Sequence, residues 1–192
     1  MSKLVSEIEE RLSSTFLSDA FPIFSQHGLQ DTDVMVHSLG CSLWNTLGHE
    51  LGYMALVEGP APVASGNDIR SDSVWFEKST CSPKVLVEFE RYDGSAKTAG
   101  KLREKLCNLM EAAMRWEYQP KLIVLSAWSP GLVSAPDLDE LKNLFCKGVN
   151  NSKGLFIPPS IGCQLLLHRL VLDKAHDDLL YLKHQSFNLV ES

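Results

Sequence analysis

Asp72, Glu88 and Glu90 are the residues whose types and spacing best fit a chemical task. Asp72 comes just before an extended stretch at residues 73–78, and both glutamates lie in a second extended stretch at residues 84–91. Because successive side chains of a strand point to opposite faces, the two glutamates share one face, ~6–7 Å apart. Hard divalent cations prefer such oxygen clusters, and a metal held by carboxylates can activate water against a phosphodiester. The spacing therefore predicts a Mg²⁺ or Mn²⁺ site.

The rest of the chain must supply the elements that position these acids. Apolar and polar periodicity predicts the following elements. Helices are expected over residues 4–16, 33–48 or slightly beyond, 96–116 and from about 134 to 145, and strands over residues 53–57, 73–78, 84–91, 121–128, 155–157 and 163–172. The last of these segments also fits a helix, and residues 59–68, rich in Pro, Gly, Ser and Asn, are expected to form a loop. Interleaved helices and strands favour an α/β or α+β sandwich.

This order of elements, with one acid opening the second strand and two on the third, resembles the PD-(D/E)XK nuclease superfamily. The matching stretches are residues 70–75 and 85–91, and the likeness covers about residues 36–128. The resemblance implies an α/β fold, namely a restriction-endonuclease-like three-layer sandwich with a central mixed β-sheet flanked by helices. It also implies DNA as substrate, with Asp72 and Glu88 as metal ligands.

Glu90 stands where that superfamily usually has a lysine. The resemblance implies either that Glu90 acts as a further ligand or base, or that the chain has lost catalysis and kept binding. The next predicted helix offers Lys97, Lys101 and Lys105 on one face, since they are four residues apart. Lys105 is the predicted replacement for the missing lysine and Lys101 a predicted phosphate contact, whereas the alternative is a solvated surface stripe.

Four more charged residues are considered as site residues. Family members often supply a further acid from the helix before the first strand, and Glu50 is the candidate here, with Glu58 second. A capping or surface acid is the alternative for Glu50. Arg70 and Arg91 are predicted to contact the substrate phosphate, or else to pair with the neighbouring acids.

The length, net charge and cysteine content of the chain limit the class of protein. A chain of 192 residues fits one domain, residues 1–192, with an N-terminal helix and a C-terminal α/β extension around the core. A net charge of −6 argues against a protein that chiefly holds nucleic acid by its phosphates, though not against an enzyme with one basic groove. Five scattered cysteines, no apolar run of bilayer length and no signal-peptide pattern predict a cytoplasmic protein without a membrane partner.

Common motifs of other enzyme classes do not occur in the sequence. His49-Glu50 does not extend to H-E-x-x-H, Ser126 lacks the G-x-S-x-G context, and no glycine-rich phosphate loop is present. Two functions remain: a nuclease acting on DNA, and a catalytically inactive nuclease-fold protein that binds a protein partner or a second copy of itself in a regulatory role.

Overall fold

The computed structural model describes residues 3–62 and 68–191 as one α/β arrangement. The helices are α1 (Lys3–Ser13), α2 (Phe16–Ala20), α3 (Asp33–Glu50), α4 (Ala96–Arg115) and α5 (Leu138–Lys147), with a 3-10 turn at Pro22–Phe24. The strands are β1 (Met54–Pro60), β2 (Arg70–Phe76), β3 (Pro83–Arg91), β4 (Leu122–Pro130), β5 (Val149–Asn150), β6 (Phe156–Ile157), β7 (Gln164–Lys174) and β8 (Leu180–Glu191).

Six strands form one mixed sheet in the order β1-β2-β3-β4-β7-β8. The three central strands β3, β4 and β7 are parallel, and the outer strands join them in antiparallel fashion. Parallel strands are usually covered on both faces, and their sequences are accordingly apolar. The strand β4, with eight of its nine residues buried, follows this rule.

Helices cover both faces of the sheet. On one face, Val85, Val87 and Phe89 pack with residues of α1 and α3. On the other face, Leu86 and Ile123 pack with residues of α4 and α5. The predicted α/β sandwich with a central mixed sheet is therefore confirmed.

Two glycines bring α3 close to the sheet. A Cβ atom at Gly40 would overlap the ring of Phe89, and one at Gly48 would meet Trp75 and Ala55. Any side chain at these positions would push the helix outward. The chemistry carried by α3 therefore depends on this close packing.

The structure departs from the predicted elements in three places. The first helix ends at Ser13 and a separate short helix begins at Phe16. The strand β8 was not predicted, because at this edge of the sheet most of its side chains are half-buried or exposed and no apolar run marks it. Of the predicted loop at residues 59–68, residues 63–67 lie outside the described part of the chain, and residues 59 and 60 belong to β1.

Two further predictions concern cysteines and membranes. All five cysteines are free thiols. Across the described ranges, none of the helices combines the length and the apolar character needed to cross a bilayer.

Candidate functional site

The structure brings the three predicted acids together at one end of two neighbouring strands. In the antiparallel register of β2 and β3, Ser73 pairs with Val87, which places Asp72 next to Glu88. Asp72, Glu88 and Glu90 are only 4%, 1% and 6% exposed. Burying a carboxylate is costly unless it has partners, so their surroundings decide what they can do.

Two lysines of α4 reach across the sheet face to the glutamates. Lys105 Nζ donates to Glu88 Oε2 at 2.7 Å, and Lys101 Nζ donates to Glu90 Oε1 at 2.7 Å. Lys105 is a quarter exposed and Lys101 about half exposed. Lys101 and Lys105 of the predicted stripe therefore contact the acids, and these two lysines are not simply solvated surface residues.

The charges around Glu88 are unbalanced. Burial and the charge of Asp72 raise the pKa of Glu88 to about 8, although Lys105 acts in the opposite direction. Burial alone would lower the pKa of Lys105, but the charges of Glu88, Asp72 and Glu90 outweigh it and raise that pKa. With the carboxyls of Asp72 and Glu88 ionised, one ammonium group leaves an excess negative charge, which favours binding of either a proton or a cation.

A cleft of about 790 Å³ opens beside these residues. Its lining comes from α3, the end of β3, the first half of α4 and β4. It includes the cations Arg91, Lys97, Lys101 and Lys105, the acids Glu90, Asp93 and Glu104, and the side chains of His37 and Trp128. The Arg91 guanidinium lies 4.8 Å from the centre of the Trp128 ring. The site is thus open to a ligand of nucleotide size or larger.

A histidine and a cysteine of α3 complete the surroundings of Asp72. His37 Nε2 lies 3.6 Å from Asp72 Oδ1 and 3.6 Å from Cys41 Sγ. One ligand atom from each of the three residues lies within 4.8 Å of the others. This group could hold a metal ion, whereas Asp72, Glu88 and Glu90 do not form such a group of three among the residues that the structure describes.

The backbone of Phe89 holds two members of this group. Its N–H donates to Asp72 Oδ2 at 2.7 Å, and its carbonyl oxygen lies 3.0 Å from His37 Nδ1. An N–H at Nδ1 satisfies that carbonyl and leaves the Nε2 lone pair facing Asp72 and Cys41.

The Cys41 thiol lies in a negative environment. Burial and the charges of Asp72, Glu58 and Glu88 raise its pKa to about 12. Glu58, the weaker acidic candidate from the sequence, therefore acts on this group from the edge strand β1, where its φ is +53°. The charges that disfavour a bare thiolate are the charges that would attract a cation.

The prediction of Glu50 as a metal ligand is corrected by the structure. Glu50 forms an ion pair with Arg11 at 2.6 Å. It follows His37 by thirteen residues on α3, which is about 20 Å along a helix. The structure therefore supports the alternative prediction for Glu50, a surface acid.

The two predicted phosphate-binding arginines differ in their placement. Arg70 is half exposed and bound to Asp68 at 2.7 Å, and it is not part of the cleft lining. Arg91 lines the cleft and also pairs with Asp31 at 2.8 Å. Only Arg91 therefore faces the space next to the acids.

Sequence reasoning missed His37 and Cys41. Their signal was a histidine and a cysteine four residues apart on a predicted helix, which places them on one face. That signal has little weight alone, because nothing in the spacing shows that Asp72 lies opposite.

Comparisons of the chain with protein-family models, with curated proteins and with solved structures gave no match.

Proposed function

We propose that this protein has a restriction-endonuclease-like fold and hydrolyses DNA phosphodiester bonds with the help of a bound Mg²⁺ or Mn²⁺ ion. The observation that carries the proposal is the burial of Asp72, Glu88 and Glu90 on neighbouring strands, with Lys101 and Lys105 bound to the two glutamates beside a large open cleft.

The donor set fits such a metal. Asp72 and Glu88 would hold the ion, with Glu90 as an additional ligand, since carboxylate oxygens are what these cations prefer. Burial and then the charge of Asp72 raise the pKa of Glu88, and a bound cation would favour its ionised form. When bound, the metal would supply an activated water and charge neutralisation at phosphorus.

The chain's own residues have distinct tasks in this proposal. Lys105 and Lys101 would release the glutamates and donate to phosphate oxygens, stabilising the charge that develops there. Glu90, beside the cleft, would orient the attacking water and accept its proton. Arg91 would hold the neighbouring phosphate, with its guanidinium supported by the buried ring of Trp128.

A second candidate function is favoured by one observation. Lys105 and Lys101 already form short ion pairs with Glu88 and Glu90. If these pairs are permanent, the protein is a catalytically inactive member of this fold and its cleft serves as a surface for a protein partner or a second copy.

DNA cleavage assays on the full chain separate the two functions. We expect the native protein to cleave labelled single- or double-stranded DNA with Mg²⁺ or Mn²⁺ and not with EDTA. Asp72→Asn and Glu88→Gln should lower the rate by at least about 100-fold, because each loses a charged ligand. Glu50→Gln is the matched control, since Glu50 lies outside the site, and should cleave at the native rate.

Two results would reject the nuclease. One is the absence of cleavage together with calorimetric titrations that detect no Mg²⁺ or Mn²⁺ binding at millimolar concentration. The other is cleavage that Asp72→Asn and Glu88→Gln leave unchanged. Cleavage of RNA alone in a parallel assay would reject DNA as the substrate.

A further inference from the structure

We propose that His37, Cys41 and Asp72 form a binding site for a thiophilic divalent transition-metal ion of the Zn²⁺ class, which shares only Asp72 with the carboxylate site proposed for Mg²⁺. Nitrogen and sulfur donors favour such ions over Mg²⁺. The site does not depend on the proposed nuclease activity, because it is argued from its own geometry.

The distances match tetrahedral coordination. Ligand atoms about 2.0–2.3 Å from a tetrahedral ion stand about 3.3–3.8 Å apart. His37 Nε2 is 3.6 Å from both Asp72 Oδ1 and Cys41 Sγ, so two of the three edges already have the required length. The third pair, Cys41 Sγ and a carboxylate oxygen of Asp72, lies within 4.8 Å, so these two atoms would move closer when an ion binds.

The ligands are held by contacts outside the group. Phe89 O accepts from His37 Nδ1, which leaves Nε2 as the ligand atom, and Phe89 N fixes Asp72 Oδ2, which leaves Oδ1. Partners of this kind orient metal ligands and are part of most metal sites in proteins. Gly40, between the two α3 ligands, lets the helix approach Phe89.

The site is also accessible. The His37 side chain is 40% exposed and lines the large cleft, whereas Cys41 and Asp72 are buried. Three protein ligands leave a fourth position of the tetrahedron for water or a ligand on the cleft side. On binding, the thiol proton of Cys41 passes to solvent and the sulfur bonds to the metal as a thiolate.

The test is titration of the reduced full chain with Co²⁺, a spectroscopic substitute for Zn²⁺. We expect a sulfur-to-cobalt charge-transfer absorption at one equivalent, which Zn²⁺ abolishes and Mg²⁺ alone never produces. Cys41→Ser and His37→Ala should each weaken Co²⁺ binding by at least about 100-fold, and Cys41→Ser should remove the charge-transfer absorption. Cys107→Ser is the matched control, since Cys107 is a buried helical cysteine on α4, and should keep both.

Two outcomes would overturn the proposal: no charge-transfer absorption in the native protein, or an absorption that persists in Cys41→Ser. Circular dichroism of each variant shows whether it is folded. If Cys41→Ser is unfolded, the His37→Ala variant decides, since unchanged Co²⁺ affinity there would also overturn the site. Glu88→Gln should keep the absorption while losing Mg²⁺-dependent cleavage, so the failure of one proposal is distinguishable from the failure of the other.

Discussion

Two buried glutamates, Glu111 on α4 and Glu88 on β3 facing it, have different surroundings. Glu111 accepts from Arg115 at 2.6 Å through one oxygen and from Asn151 at 2.9 Å through the other. Glu88 accepts from Lys105 through one oxygen, and among the residues that the structure describes none donates a hydrogen bond to the other. Both oxygens of Glu111 accept hydrogen bonds within the protein. Glu88 keeps one oxygen available for a further ligand and adds negative charge near the cleft. Burial alone therefore does not mark a functional carboxylate.

The largest expected effect concerns Glu111, the carboxylate that we assign to a structural role. Glu111→Ala should lower the free energy of unfolding by about 3–5 kcal/mol, because it leaves the nearly fully buried Arg115 without its carboxylate. Glu111→Gln, which still accepts hydrogen bonds, should cost less. Urea unfolding at pH 7 measures both. A loss below about 1 kcal/mol for Glu111→Ala would show that this ion pair does not stabilise the fold.

The next effect concerns the two lysines of the site. Lys105→Met should lower Mg²⁺-dependent cleavage by about 100-fold, because Lys105 contacts the most buried acid and is best placed for a developing charge. Lys101→Met should lower it by about 10-fold, since Lys101 is half exposed and its charge is screened. Single-turnover cleavage rates compare the two. Equal losses would contradict the different roles that we assign to them.

The pH dependence of stability follows from the raised pKa of Glu88. Between about 4.5, its ordinary value, and about 8, its value in the folded protein, the folded state holds a proton that the unfolded chain has lost. The free energy of unfolding should therefore fall as the pH rises through this range, by about 2 kcal/mol, because the partial exposure of Lys105 reduces the full effect. Denaturant unfolding at pH 5 and pH 8.5 measures the difference.

Glu88→Gln is the variant that tests this assignment. It should remove most of the fall in stability over that pH range, since glutamine does not titrate. The matched change Glu111→Gln should leave the fall in place. If Glu88→Gln keeps the native pH dependence, another group is responsible.

The smallest effect separates the two arginines predicted from the sequence. Arg70→Ala should leave the free energy of unfolding essentially unchanged, because its ion pair with Asp68 is solvent-exposed. It should leave the Kd for DNA within twofold of the native value. Arg91→Ala, which removes a cation from the cleft lining, should raise that Kd by at least threefold. Fluorescence anisotropy with labelled DNA in Ca²⁺ provides the comparison, and equal effects would contradict it.

Much of the acidic part of the site could be predicted from sequence. Strand alternation placed Glu88 and Glu90 on one face, and the helical spacing of α4 pointed Lys105 and Lys101 the same way. Both inferences are local, because they depend on the repeat of a single element. Glu50 lies away from the acids because the C-terminal part of α3 packs against Trp75, whereas the part near Gly40 packs against Phe89, and no local pattern reveals this alignment.

The contribution of α3 to the site could not be predicted. His37 and Cys41 reach Asp72 only because the helix lies against Phe89, and that packing depends on a contact between residues far apart in the chain. The edge strand β8 was missed for a related reason. Its residues are ordered by pairing with β7, and their own pattern carries little signal.

The close approach of Gly40 to the Phe89 ring sets the distance between α3 and β3, so the size of residue 40 controls that distance. Phe89 holds Asp72 and His37 through its main-chain atoms, so replacing its side chain would not remove those contacts. A methyl group at position 40 would instead push α3 away from the strand. Gly40→Ala is therefore the substitution that would alter the metal selectivity of the proposed site without changing any of its ligands.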